Sequence, residues 1–94
     1  MTKLIMDIAE DDSSLYFECI MHAGDHDVCR SISTACNILI LRCDKKEYDV
    51  DVYEPGHVRI NIEQADPSTC AVARALLDLF LYLEEENPDY VKVY

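Results

Sequence analysis

Positively charged residues are scarce in this sequence: eight Lys and Arg stand against nineteen Asp and Glu, a formal net charge of −11. Neutralising phosphates takes clustered Lys and Arg, and the one adjacent basic pair, Lys45-Lys46, is flanked by Asp44 and Glu47. Direct binding to nucleic acid is therefore excluded, and an anionic membrane surface is disfavoured on the same ground. Glycine and proline are also few, two and three, with no low-complexity run and no internal repeat. That composition argues against disorder and against a linker joining two modules. Long apolar runs are missing too. None approaches a membrane span, and Asp7 interrupts the start of the chain before an apolar signal region can form. The expectation is a soluble, cytoplasmic protein attracted to basic partners, although charge serving solubility alone leaves the same composition.

What is present suits a small core. Half of the 94 residues are hydrophobic, enough for one domain over 1–94. Five cysteines, Cys19, Cys29, Cys36, Cys43 and Cys70, form an odd set without an export signal. They read as reduced thiols, most of them small buried hydrophobes.

Apolar residues alternate at Leu4, Met6 and Ile8, and again at Leu15, Phe17, Cys19 and Met21, predicting two half-buried strands joined by the polar turn Glu10–Ser14. Val28, Ile32, Ala35, Cys36, Leu39 and Cys43 recur at helical spacing, predicting an amphipathic helix over 28–43. Tyr48, Val50 and Val52, then Val58, Ile60 and Ile62, predict a hairpin whose Pro55-Gly56 centre suits a type II turn. Asp66-Pro67 supplies an N-cap and first residue for a second helix, with Val72, Leu76, Leu79, Phe80 and Leu83 as its core stripe and Pro88 as its stop. Val91 and Val93 make a short last strand. The fold class that follows is a two-layer α+β sandwich of order ββαββα: a mostly antiparallel sheet of four to five strands, covered on one face by two helices. Leu77, Leu81 and Tyr82 widen the second helix's apolar stripe, which fits deep burial or a dimer contact.

Chemistry concentrates in His22-Ala23-Gly24-Asp25-His26-Asp27-Val28-Cys29. His22 ends the second predicted strand, and six residues separate it from Cys29 at the start of the first helix. With Asp27 as N-cap, Cys29 falls in the first turn, where unpaired N–H groups and the positive end of the dipole favour a thiolate. An imidazole in reach completes a nucleophilic pair. Asp25 and Asp27 oppose it by raising the thiol pKa unless they cap the helix or orient the imidazole. A capped helix with a merely buried cysteine also fits, since Cys36 and Cys43 continue the same face. The four soft ligands Cys19, His22, His26 and Cys29 suggest zinc by spacing, but Cys19 and His22, three apart on a strand, face opposite sides, so no metal or cofactor is expected. His57 reads as a solvated turn residue, and Glu84-Glu85-Glu86 as a solvated helix end.

The run His22-Ala23, then Gly24 to Val28-Cys29 and Ile32-Ser33, resembles the ribosomal-processing cysteine protease family (Prp, YsxB-like). That family has Gly-His-Ala ending a strand and Asp-Ile-Val-Cys-Ala-x-x-Ser opening a helix. The ending Leu79 to Glu86, then Tyr90-Val91-Lys92-Val93, is also similar to the family's last helix and strand. The resemblance implies an α+β cysteine endopeptidase, a homodimer, that removes an N-terminal extension from a large-subunit ribosomal protein. On it, Cys29 is the nucleophile and His22 the general acid/base partner. Ser33 matches a serine that supports the site, and a basic ribosomal protein precursor is the partner. Departures are specific. Met21 replaces the glycine before the histidine, the segment between His22 and Cys29 is shorter, and Arg30 follows Cys29 where the family prefers alanine. His26 occupies the family's aspartate position, leaving its neighbour Asp27 as the candidate orienting carboxylate. Beside the protease stands a second reading, a non-catalytic relative that binds a basic protein segment through its acidic surface.

Overall fold

A computed structural model describes residues 1–94. Its elements are β1 (Thr2–Ile8), β2 (Leu15–Ile20), α1 (His26–Lys45), β3 (Val52–Glu54), β4 (His57–Ile62), α2 (Pro67–Glu86) and β5 (Val91–Val93). The strands form one mixed sheet in the order β3-β4-β2-β1-β5. Three pairings are antiparallel, and β5 runs parallel to β1. The architecture is the expected two-layer α+β sandwich.

Strand alternation decides which side is covered. Leu15, Phe17 and Cys19 of β2, with Val58, Ile60 and Ile62 of β4, are buried in one core with Ile32, Ala35 and Leu39 of α1 and Ala73, Leu76 and Phe80 of α2. Phe17 stacks on Phe80 with ring centroids 5.7 Å apart, joining sheet to helix at the centre. Burying each ring fully contributes about 2–3 kcal/mol of transfer free energy. Tyr16, Glu18, Arg59 and Asn61 take the alternate positions and stay more exposed.

The structure moves four predicted boundaries. β2 ends at Ile20, because Met21 turns into the left-handed region with φ 71°. α1 is capped by Asp25 rather than Asp27 and starts at His26. β3 is shorter and later than the run Tyr48–Val52. The Tyr48 N–H donates to the Cys43 carbonyl at 2.8 Å and its hydroxyl donates to Asp66 Oδ1 at 2.7 Å, so that residue is tied to both helices instead of a ladder. On α2 the buried face is set by Thr69, Cys70 and Ala73 with Leu76, Phe80 and Leu83. Leu79, Leu81 and Tyr82 stay exposed, which removes deep burial as the reason for the wide stripe.

Candidate active site

The site is built where the end of β2, the start of α1 and the β3–β4 turn meet. Met21 leaves β2 in a left-handed conformation that costs a non-glycine residue about 1–2 kcal/mol. Two hydrogen bonds hold it there: its N–H donates to the Gly56 carbonyl at 2.7 Å, and its carbonyl accepts from Oγ1 of the buried Thr2 at 3.1 Å. A glycine adopts this φ at no steric cost, which explains why the resembling motif has glycine before its histidine. Next to it, Ala23 is buried and His22 is exposed. Gly56 is required twice over. Its φ of 79° fits the third position of a type II turn, and a Cβ there would lie 3.2 Å from His22 Nε2. The turn is thus a platform on which the imidazole rests.

A second left-handed residue, Gly24 (φ 91°), brings the chain round to Asp25. The Asp25 carboxylate accepts the N–H groups of Asp27 and Val28, both at 3.1 Å, and its carbonyl accepts that of Cys29 at 2.9 Å. Cys29 is therefore the fourth helical residue, deeper than an Asp27 cap would put it. The dipole fades within the first turn and the cap carries negative charge, so helix support for a thiolate is weaker than the sequence implied. A different donor reaches the sulfur: the Ala23 N–H points at Cys29 Sγ, with N and S 3.2 Å apart. The sequence holds no signal for that contact, which needs the connection and the helix in register.

Cys29 and His22 line one cleft of about 390 Å³, with Ser33 and Cys36 along α1 and the hairpin turn opposite. Thiol and imidazole are brought together in this cleft without a direct hydrogen bond, the sulfur being taken by the Ala23 amide. Asp27 is exposed in the first turn and lies outside the cleft lining. Of the five free cysteines, Cys29 alone is half-exposed; the others are buried. Desolvation pushes the Cys43 thiol up to about 11. Burial and the adjoining Cys19 thiol likewise hold Cys36 in its neutral form. No three His, Cys, Asp or Glu side chains converge as metal ligands, so the sequence spacing of Cys19, His22, His26 and Cys29 does not become a cluster in space.

Two residues read as merely solvated are engaged. His57 Nε2 lies 2.6 Å from Glu18 Oε2, and Glu18 Oε1 accepts the Tyr16 hydroxyl at 2.8 Å. The imidazole contact first, then the phenol, hold the Glu18 carboxyl below its ordinary range. Register places them: His57 faces Ile20 and Arg59 faces Glu18, so His57 and Glu18 are diagonal neighbours across two strands. Glu84 accepts the Val93 N–H at 2.7 Å and ties α2 to β5.

No protein-family model matches the sequence, and no curated protein matches it. Solved structures do match it in fold. The essential ribosomal processing protease Prp from S. aureus, crystallised with a covalently linked product peptide, superposes with a TM-score of 0.81 at 13% identity, covering 99% of this chain and 97% of that one. A protein from Streptococcus mutans superposes with a TM-score of 0.75 at 19% identity, covering 99% and 91%. Identities this low speak for architecture and not for activity. The resemblance first seen in a few short motifs therefore holds at the level of the fold: this chain has the fold of the ribosomal processing protease Prp.

Proposed function

We propose that this chain is a cysteine endopeptidase that removes an N-terminal extension from a basic large-subunit ribosomal protein, with Cys29 as nucleophile and His22 as its acid/base partner. One observation carries the reading: the single half-exposed thiol lies in the cleft that His22 also lines, with a backbone N–H aimed at its sulfur. In the reaction, the Cys29 thiol gives its proton to His22, and the Ala23 N–H stabilises the thiolate. Sulfur attacks the scissile carbonyl carbon, forming the C–S bond and moving an electron pair onto oxygen. Collapse breaks the C–N bond while the imidazolium protonates the departing amine. Water then adds to the thioester with His22 taking its proton, and the carboxylate product and free thiol result. Asp27 lies outside the cleft in the free protein, so it orients His22 only in a closed, substrate-bound state.

The test is mass spectrometry of ribosomal-protein precursors incubated with wild type and with Cys29→Ala. Shortening by wild type alone is expected; shortening by both, or by neither, removes the proposal. A net charge of −11 suits a basic client met before it is buried in RNA, so added salt should slow cleavage. The exposed apolar side of α2 at Leu79, Leu81 and Tyr82 supports a homodimer. Sedimentation should find a dimer that Leu81→Glu converts to monomer.

The competing reading is a non-catalytic relative that binds a basic segment. It draws on the placement of the His22 ring over Gly56 without a hydrogen bond to the thiol. Alkylation separates the two. A catalytic pair makes Cys29 react at mildly acidic pH far faster than the four buried thiols, and His22→Ala slows it; uniform sluggish labelling favours the binding module.

A further inference from the structure

A second groove, of about 660 Å³, runs beside the active-site cleft, between α1 and the segment that leads into β3. Ile40, Leu41 and Val50 give it apolar walls, and Asp44 and Asp49 add negative charge. Asn37 and Tyr53 line both cavities, and the Tyr53 hydroxyl donates to Asn37 Oδ1 at 3.1 Å between them. Both partners are exposed, so water replaces this bond at a cost of about 1 kcal/mol or less. The partition is easily opened. Asp12, Asp51 and Asp66 each pair with an Arg or Lys, whereas Asp44 and Asp49 form no ion pair.

We propose that this groove extends the peptide-binding cleft and takes a substrate segment in which apolar residues alternate with Lys or Arg. The proposal rests on the protease reading and names the substrate class at positions remote from the scissile bond. Continuity through Asn37 and Tyr53 argues for a peptide that already occupies the cleft. Charge argues against a second copy of the chain, which would bring its own net charge of −11 against Asp44 and Asp49. An extended peptide presents alternate side chains to one surface, so its apolar side chains meet Ile40, Leu41 and Val50 while interleaved cations reach the two carboxylates. Along α1, Cys29 and Asp44 are separated by about 22 Å of helix rise, the reach of about seven extended residues. The selected cation therefore lies well outside the residues flanking the cleaved bond.

The experiment titrates ¹⁵N-labelled Cys29→Ala protein with acetyl-Leu-Lys-Leu-Lys-Leu-amide and with its counterpart carrying Glu for Lys. The lysine peptide should shift the amide signals of Leu41, Asp44, Asp49 and Val50. Its affinity should fall about five-fold when Asp44→Asn and Asp49→Asn are combined, two exposed changes of the strength expected for surface ion pairs. Equal binding of the glutamate peptide, or shifts confined to the exposed face of α2, overturns the proposal. So does concentration-dependent shifting of the groove signals without peptide, which would make a second copy the occupant. Groove binding with no cleavage of any precursor upholds the groove and removes the protease. Cleavage of a precursor without groove shifts does the reverse.

Discussion

Both helices open on an aspartate cap, yet Asp66 before α2 and Asp25 before α1 have unlike surroundings. The Asp66 carboxylate accepts the Thr69 N–H at 3.1 Å, the hydroxyls of Ser68, Thr69 and Tyr48, and sits 3.5 Å from Arg42 and 3.7 Å from Lys46. The hydroxyls of Ser68 and Thr69 first, then that of Tyr48, hold its carboxyl far below the ordinary range. Asp25 accepts two backbone N–H groups and pairs with no cation. The chain reaching it is bent through two left-handed residues, Met21 and Gly24. One start is anchored to the other helix by a closed network. The other is held by few bonds, borders the cleft and carries the half-exposed thiol. Adjustable, lightly tied segments are where binding and chemistry tend to reside, because they reorganise at small cost.

The largest effect that sharpens this contrast is chemical. Cys29→Ala should lower the rate of precursor cleavage by about a thousand-fold or more, with an unchanged melting temperature. Next, Asp66→Ala should destabilise the protein by about 2–3 kcal/mol in urea unfolding, since it removes a cap and strands the buried Thr69 and the Tyr48 hydroxyl. Asp25→Ala should cost only about 1 kcal/mol, the ordinary value of a cap, while changing the alkylation rate of Cys29. Equal losses at the two caps would erase the distinction.

Acid should expose it without mutation. The Asp66 carboxyl is depressed in the folded state, so the stability it contributes is complete above its unfolded pKa of about 4. That stability drains as pH falls below this value toward the depressed folded one. Urea midpoints of wild type should fall over that window, and Asp66→Asn should flatten part of the fall; identical slopes would deny Asp66 this role. The smallest effect is a gain. Met21→Gly relieves the left-handed strain and should raise stability by about 0.5–1 kcal/mol after the greater freedom of glycine in the unfolded chain is counted. Destabilisation would show that the partly exposed Met21 side chain contributes more than its backbone costs.

Particular residues show how much was legible beforehand. Leu15, Phe17 and Cys19 alternate, and Ile32, Cys36 and Leu39 recur at helical spacing, so their elements and buried faces follow from local period. Asp66-Pro67 marked the start of α2 because cap and first-turn proline act within a few residues. Cys29 and His22 were nameable from spacing and motif likeness. The Ala23 N–H on the sulfur and the Gly56 platform were not, since a backbone donor has no side-chain signature and Gly56 looks like any turn glycine. Asp27 and Asp25 are chemically alike as caps; only the path of the chain through Met21 and Gly24 selects Asp25.

By itself the sequence determined the charge, and with it the exclusion of nucleic acid, the two layers, and the shortlist of reactive residues, all properties that are compositional or repeat over a few residues. The tertiary structure alone decided that Met21 is strained, that His22 rests on Gly56, that His57 joins Glu18, and that a second groove adjoins the cleft. Each of those depends on which strand ends and turns meet, a long-range register that no local pattern encodes.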